Sequence, residues 1–229
     1  VEKKTRNDSI VVSLQLTELL RNAMVDQIKT GSLGERELQV KYGTQERADR
    51  FYKKQMFDHL NPRMLEYLLR QEMMFVASSD SKGECDCSLR SGPPGFVYTL
   101  DPKTLIYPEY RGNGVMATLG NIRENGNVGI FFPDFYESTV GLHVNGRAEI
   151  IENAELRTWK NLTKEVRKAT LITIGKKPER WVLVHVEEAY IHCSKHIPHL
   201  KPTGKRLFWG SDDKLEKGGD YFHESDTLE

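Results

Sequence analysis

The sequence predicts a mainly β protein, an antiparallel barrel of six or seven strands with helices at its periphery. Three observations carry this reading. Short apolar runs, several of them alternating with polar residues, recur along the chain and are joined by brief turns, as in antiparallel sheets. Helix-length segments do not alternate with strands in a βαβ rhythm. No glycine fingerprint follows the first strand, which argues against a dinucleotide-binding doubly wound sheet.

Residues 1–56 read as a highly charged, helical N-terminal extension. Leu14–Ile28 carries a stripe of Leu16, Leu19, Leu20, Met24 and Ile28 at helical spacing, and Glu35–Leu60 forms a second charged helical run. The extension is either an arm packed on the core or a partner subunit, or a partly disordered tail. A domain over 57–200 follows. Asn61 caps its first helix and Pro62 suits the first helical position. Leu65, Leu68 and Leu69 form the apolar face of that helix. Phe75–Ser79 and Asp86–Arg90 make a hairpin about the turn at Asp80–Gly83. The SGPPG run at 91–95 cannot be regular, because its prolines remove donors and its glycines free the backbone.

Phe96–Leu100 and Leu105–Tyr107 flank a turn at Asp101-Pro102-Lys103. A helix is expected from about Gly114 to Glu124, capped by Asn113, with Val115, Leu119 and Ile122 on one face and Gly126 closing it. Val128–Phe132 and Thr139–Ile151 are strands, Ala154–Ala169 is a helix, and Trp181–His192 is the last strong strand. Residues 201–229 read as a polar, loosely ordered C-terminal tail.

Lys+Arg and Asp+Glu both number 33, so the chain has no net charge to draw it to nucleic acid or anionic membranes. No apolar run is long enough to span a bilayer and no secretory leader is evident, so a cytoplasmic protein is expected. Three cysteines make no disulfide scaffold at this length. Cys85 and Cys87 are two residues apart on one strand, about 7 Å, too far for a relaxed bridge. Buried thiols are the expectation.

The chemistry concentrates between Asp86 and Asn121. Asp86, Ser88 and Arg90 share one face of a strand, while Cys85, Cys87 and Leu89 share the other. Arg111, Gly112, Asn113 and Gly114 then bring a guanidinium, an amide and unhindered backbone N–H groups to a helix entrance, partners suited to phosphate. The competing reading pairs Arg90 and Arg111 with Asp86, Asp101 or Glu109 at the surface.

The succession of SLRSGPPGFV, YRGN, a helix carrying Gly-Asn, an Asn-Gly-Asn turn and VGIFF resembles the flavin mononucleotide (FMN)-binding split β-barrel of the pyridoxamine 5'-phosphate oxidase-like proteins. The resemblance covers about residues 60–200. It implies an antiparallel split barrel, FMN as cofactor, and a homodimer with the cofactor at the subunit interface. Ser88, Arg90 and Ser91 would lie on the strand facing the flavin phosphate and ribityl chain. Arg111 and Asn113 would complete the phosphate site, with Thr118 and Asn121 on the helix nearby, and the segment Tyr107–Tyr110 would pass the ring edge with its backbone, Tyr110 among its contacts. The family often has glycine where Ser91 stands and a basic residue where Gly114 stands. Tyr98, Phe131, Phe135 and Trp181 are either walls of the ring site or ordinary core.

The stretch YIHCSKHIPHL places His192, Cys193, Lys195, His196 and His199 together, at a spacing that matches no standard zinc site, so no metal is expected. The resemblance would put Lys195 or His196 near the flavin, where positive charge favours the reduced ring. The implied function is an FMN-dependent oxidoreductase passing hydride or electrons to or from a small-molecule substrate. An Arg-Leu-His motif that serves the substrate in true pyridoxamine-phosphate oxidases is replaced by KRLFW at 205–209. The alternatives are a non-catalytic flavin-, deazaflavin- or haem-binding split barrel, and an interaction protein with an empty barrel.

Overall fold

The structure, a computed structural model, describes residues 30–173, 177–211, 213, 215, 216 and 222. The helix expected over Leu14–Ile28 lies outside them. The chain forms two compact units, Val1–Gln55 and Met56–Glu229.

In the first unit, α1 (Leu33–Tyr42) and α2 (Gln45–Gln55) form a helical hairpin. The single run expected over Glu35–Leu60 is thus broken. Gly43 takes a left-handed φ of 64° and ends α1, a conformation glycine adopts without a Cβ penalty. Ser32 and Glu35 cap the start of α1 reciprocally. Neither helix buries a residue, so polar contacts hold the pair together. Arg36 reaches Asp49 at 2.7 Å, and the Tyr52 hydroxyl donates to Glu35 at 2.6 Å.

The second unit is one eight-stranded antiparallel sheet with helices around it. Its strands are β1 (Met56–Phe57), β2 (Met73–Ser79), β3 (Cys85–Ser91), β4 (Tyr98–Asp101), β5 (Thr104–Glu109), β6 (Asn127–Pro133), β7 (Gly141–Glu152) and β8 (Arg180–His192). The hydrogen-bonded order is β3-β2-β6-β7-β8-β5-β4, with β1 also on β8. The helices are α3 (Pro62–Leu68), α4 (Ala117–Glu124), α5 (Asn153–Leu156) and α6 (Lys164–Thr170). Val76, Leu105, Tyr107, Ile130, Phe132, Val144 and Val184 fill the main core with Leu68 of α3. Ile106, Ile151, Trp181 and Leu183 pack a second core with Leu156, Val166 and Ala169 of α5 and α6.

The register of β7 on β8 shifts between Asn145 and Gly146. Glycine is required at this bulge: a Cβ on residue 146 would sit 2.0 Å from the His185 carbonyl oxygen. The helix expected over Ala154–Ala169 is two short helices. Trp159 and Leu162, between them, pack against the second core, and Thr163 accepts from Val166 N to start α6 afresh. Between β6 and β7, buried Asp134 accepts from the N–H groups of Tyr136, Glu137 and Ser138 at 2.9–3.0 Å and from the Ser138 hydroxyl at 2.6 Å. Burial opposes its ionisation, but these donors win and hold the carboxyl down at about 2.

The three cysteines are exposed rather than buried. β3 is an edge strand, and its row of Cys85, Cys87 and Leu89 faces away from the core; Leu89 is 55% exposed.

The sheet does not close. No ladder joins β3, at one end of the order, to β4 or β5 at the other. Instead a side-chain pair crosses the gap: Arg90 Nε of β3 donates to Glu109 Oε1 of β5 at 2.7 Å. Glu109 is only 7% exposed. Burial raises its pKa, and the neighbouring Arg90 guanidinium pulls it back in part.

Two outcomes follow for stability. Arg90→Ala strands the Glu109 carboxylate and should cost about 3–5 kcal/mol near pH 7. A raised folded-state pKa penalises the ionised form, so this cost should shrink below about pH 4, where Glu109 is protonated folded and unfolded alike. Urea denaturation at both pH values checks it. Asp134→Ala should cost about 2–3 kcal/mol. With its folded pKa depressed, that contribution is present above about pH 4 and fades as pH falls towards 2. Thermal melts across this range test it.

Candidate functional site

The gap in the sheet opens into a cavity of about 1290 Å³. Its walls come from β3, the end of β5 with the loop at 110–116, the first turn of α4, the start of β8, and residues 207–210. Inward alternation on β3 aims Asp86, Ser88 and Arg90 at this space. Of the residues singled out in the sequence, Ser88, Arg90, Ser91, Tyr110, Arg111, Asn113 and Thr118 all line it.

Other residues singled out lie away from this cavity. Asn121 turns away from the cavity and donates to Ser78 Oγ at 3.1 Å, tying α4 to β2. Lys195 and His196 stand on a 3-10 turn beyond β8, while the cavity meets β8 at Arg180. The 13 residues of β8 separate these places by roughly 40 Å. Within one chain, neither residue joins the site. Trp181 is fully buried, with Tyr98 6.0 Å from it, and Phe131 stacks on His143 at 4.7 Å, so none of these three walls the cavity.

The helix does not begin at Gly114. Residues 111–116 form an exposed loop, and α4 starts only at Ala117, with Met116 left-handed at φ 58°. Asn113 closes a turn instead of capping the helix, its Oδ1 accepting from Val115 N at 3.0 Å. Val115 is 72% exposed, while Leu119 and Ile122 are buried as expected. A Cβ on Gly112 or Gly114 would meet nothing within 4 Å, so the backbone of this loop is approachable.

Electrostatically the cavity is balanced. Arg90, Arg111 and Arg180 face Asp86, Glu109 and Glu179 on its walls. Arg90 is engaged by Glu109, and Arg180 Nη1 lies 3.5 Å from Glu179. Ser88 Oγ donates to Asp86 Oδ2 at 2.8 Å, and Thr118 Oγ1 lies 3.2 Å from both. Burial pushes the Tyr110 phenol up to about 12, so it stays a neutral hydrogen-bonding group.

Sequence reasoning missed three contributors. Asp86 was placed on the polar face of its strand but given no ligand role, and Glu109 entered only as a surface partner for arginine. The C-terminal segment was read as a loose tail, yet Leu207, Phe208 and Trp209 line the cavity, and Trp209 Nε1 donates to Ser91 Oγ at 2.7 Å. The available signal was LFW, an apolar aromatic run inside a polar segment.

These residues fit a flavin nucleotide in kind. The Arg111–Gly114 loop offers a guanidinium and open backbone to a phosphate, hydroxyls line β3 and α4, and Tyr110, Phe208 and Trp209 offer flat apolar surface to a ring. Among the described residues no cluster of His, Cys, Asp and Glu is arranged to hold a metal ion.

The chain is similar to several solved structures. HupZ of Group A Streptococcus is 24% identical over 57% of this chain and 92% of its own, with a TM-score of 0.41. HutZ, the heme storage protein of Vibrio cholerae, is 11% identical over 58% and 94%, with a TM-score of 0.37. An F420 reductase is 16% identical over 59% and 100%, with a TM-score of 0.37. No curated protein sequence matches. The pyridoxamine 5'-phosphate oxidase family model matches residues 60–193, which hold the whole sheet except β1 and most of the cavity wall. The open antiparallel sheet is a split barrel, and the chain belongs to the pyridoxamine 5'-phosphate oxidase family.

Proposed function

We propose that this chain is an FMN-dependent oxidoreductase acting on a small molecule. The observation that carries the reading is the cavity at the open seam, where a glycine-flanked Arg111 loop, a row of hydroxyls and an aromatic segment face one space. Arg111 and the backbone of 112–114 would hold the phosphate. Ser91, fixed by the Trp209 indole, would orient the neighbouring part of the ligand. Phe208 and Trp209 would exclude water from the ring, which strengthens every polar contact beneath. The flavin, when bound, supplies the acceptor or donor of the hydride.

Haem has less support at this cavity, because no histidine lines it among the described residues. His192 and His199 are also engaged elsewhere, with His143 at 3.0 Å and the Tyr136 carbonyl at 2.8 Å. We further propose a homodimer with the cofactor at the subunit interface. The exposed apolar row on β3 supports it, and Lys195 and His196 would then act on the cofactor of the other subunit.

Equilibrium titration with FMN tests the reading. The full chain should bind it, and Arg111→Ala should weaken binding by about tenfold or more, the loss of one charge-assisted phosphate contact. Unchanged affinity would remove the phosphate assignment.

A further inference from the structure

Asp86, Ser88 and Thr118 meet on the cavity wall where β3 passes the first turn of α4. Thr118 is 2% exposed and held by packing. Both hydroxyls lie within hydrogen-bonding distance of a single carboxylate oxygen, Asp86 Oδ2, at 2.8 and 3.2 Å. Among the described residues, no hydrogen bond reaches Asp86 Oδ1. A hydroxyl donates once and accepts twice. With their protons turned to Asp86, the hydroxyls present lone pairs to the cavity. This wall therefore offers acceptors: a carboxylate oxygen and the oxygens of Ser88 and Thr118.

An array of acceptors selects donors and repels anions. A phosphate about 4 Å from a carboxylate is opposed by about 4 kcal/mol at an effective dielectric near 20. Ser88 and Thr118 therefore do not serve the phosphate, which belongs with Arg111 on another wall of the same cavity. Neutral hydroxyl groups are the complementary ligand. Dinucleotide sites use a carboxylate in the same way to hold ribose hydroxyls.

We propose that Asp86, with Ser88 and Thr118 behind it, binds the hydroxyl-bearing chain of the cofactor, a ribityl-type polyol, and keeps the phosphate off this wall. The proposal rests on the flavin reading above. It adds a cofactor contact, Asp86, and of the phosphate and ribityl contacts the resemblance implies it gives Ser88 and Thr118 the ribityl one.

Binding of three flavins to the full chain and to Asp86→Asn, followed by flavin fluorescence, tests it. Riboflavin has the ring and polyol, FMN adds phosphate, and lumiflavin has the ring alone. The wild type should prefer riboflavin to lumiflavin by about tenfold or more, the worth of a hydrogen bond to a charged group. Asp86→Asn should cut that preference by about tenfold and leave lumiflavin affinity unchanged. Unchanged lumiflavin affinity also shows that the variant is folded. If the variant loses lumiflavin as well, the wild-type preference alone decides.

A wild type that binds riboflavin and lumiflavin equally overturns the polyol assignment. So does a preference that survives Asp86→Asn, or a variant that loses FMN while keeping riboflavin, which would return Asp86 to the phosphate. A wild type that binds none of the three removes the flavin reading itself, and the polyol assignment with it.

Discussion

The contact between Arg90 and Glu109 is the constraint on which the rest of the second unit depends. A sheet of this order has two free ends, and the barrel is completed only where a side chain of β3 reaches β5. The attraction itself is largely offset by the cost of desolvating two charges. Its value is positional. It fixes how far β3 stands from β5, and so the width of the seam and the cavity in it. It also restrains Arg90, so the cation at this point of the wall is already matched by an anion.

That match shapes the chemistry of the site. A cavity whose three arginines face three carboxylates is not a general anion trap. Charge is sorted within it. The Asp86 wall presents acceptors, while the Arg111 loop presents a guanidinium and open glycine backbone. A ligand carrying hydroxyls at one place and phosphate at another is complementary to such a division. One carrying phosphate alone is less so. Tyr107, the buried neighbour of Glu109 on the inward row of β5, has the only buried side-chain polar atom without a hydrogen bond among the described residues. Burial raises its pKa, which keeps the interior end of the seam neutral.

Much of this was legible in the sequence because it is local. Alternation along 85–91 placed Asp86, Ser88 and Arg90 on one face, and β7 and β8 lie within a few residues of their predicted ends. What was not legible depends on partners distant in sequence. The cysteine face of β3 looked fit for a core, but β3 has no neighbour on its outer side to cover it. Asn113 has the chemistry of a helix cap, yet a tight turn to Val115 captures it first. The pairing of Arg90 with Glu109 was one open reading, but it was expected at the surface, and its burial depends on the seam that brings the two together across 19 residues. Trp209 lies 118 residues from Ser91, beyond any periodicity argument.

The central claim is that the seam between β3 and β5 is the cofactor site. Amide hydrogen exchange of the full chain, with and without saturating FMN, tests it most directly. Protection confined to 85–91, 109–118 and 207–210 is the predicted result. FMN that binds but protects only 190–200, or leaves the three seam segments unchanged, would contradict it.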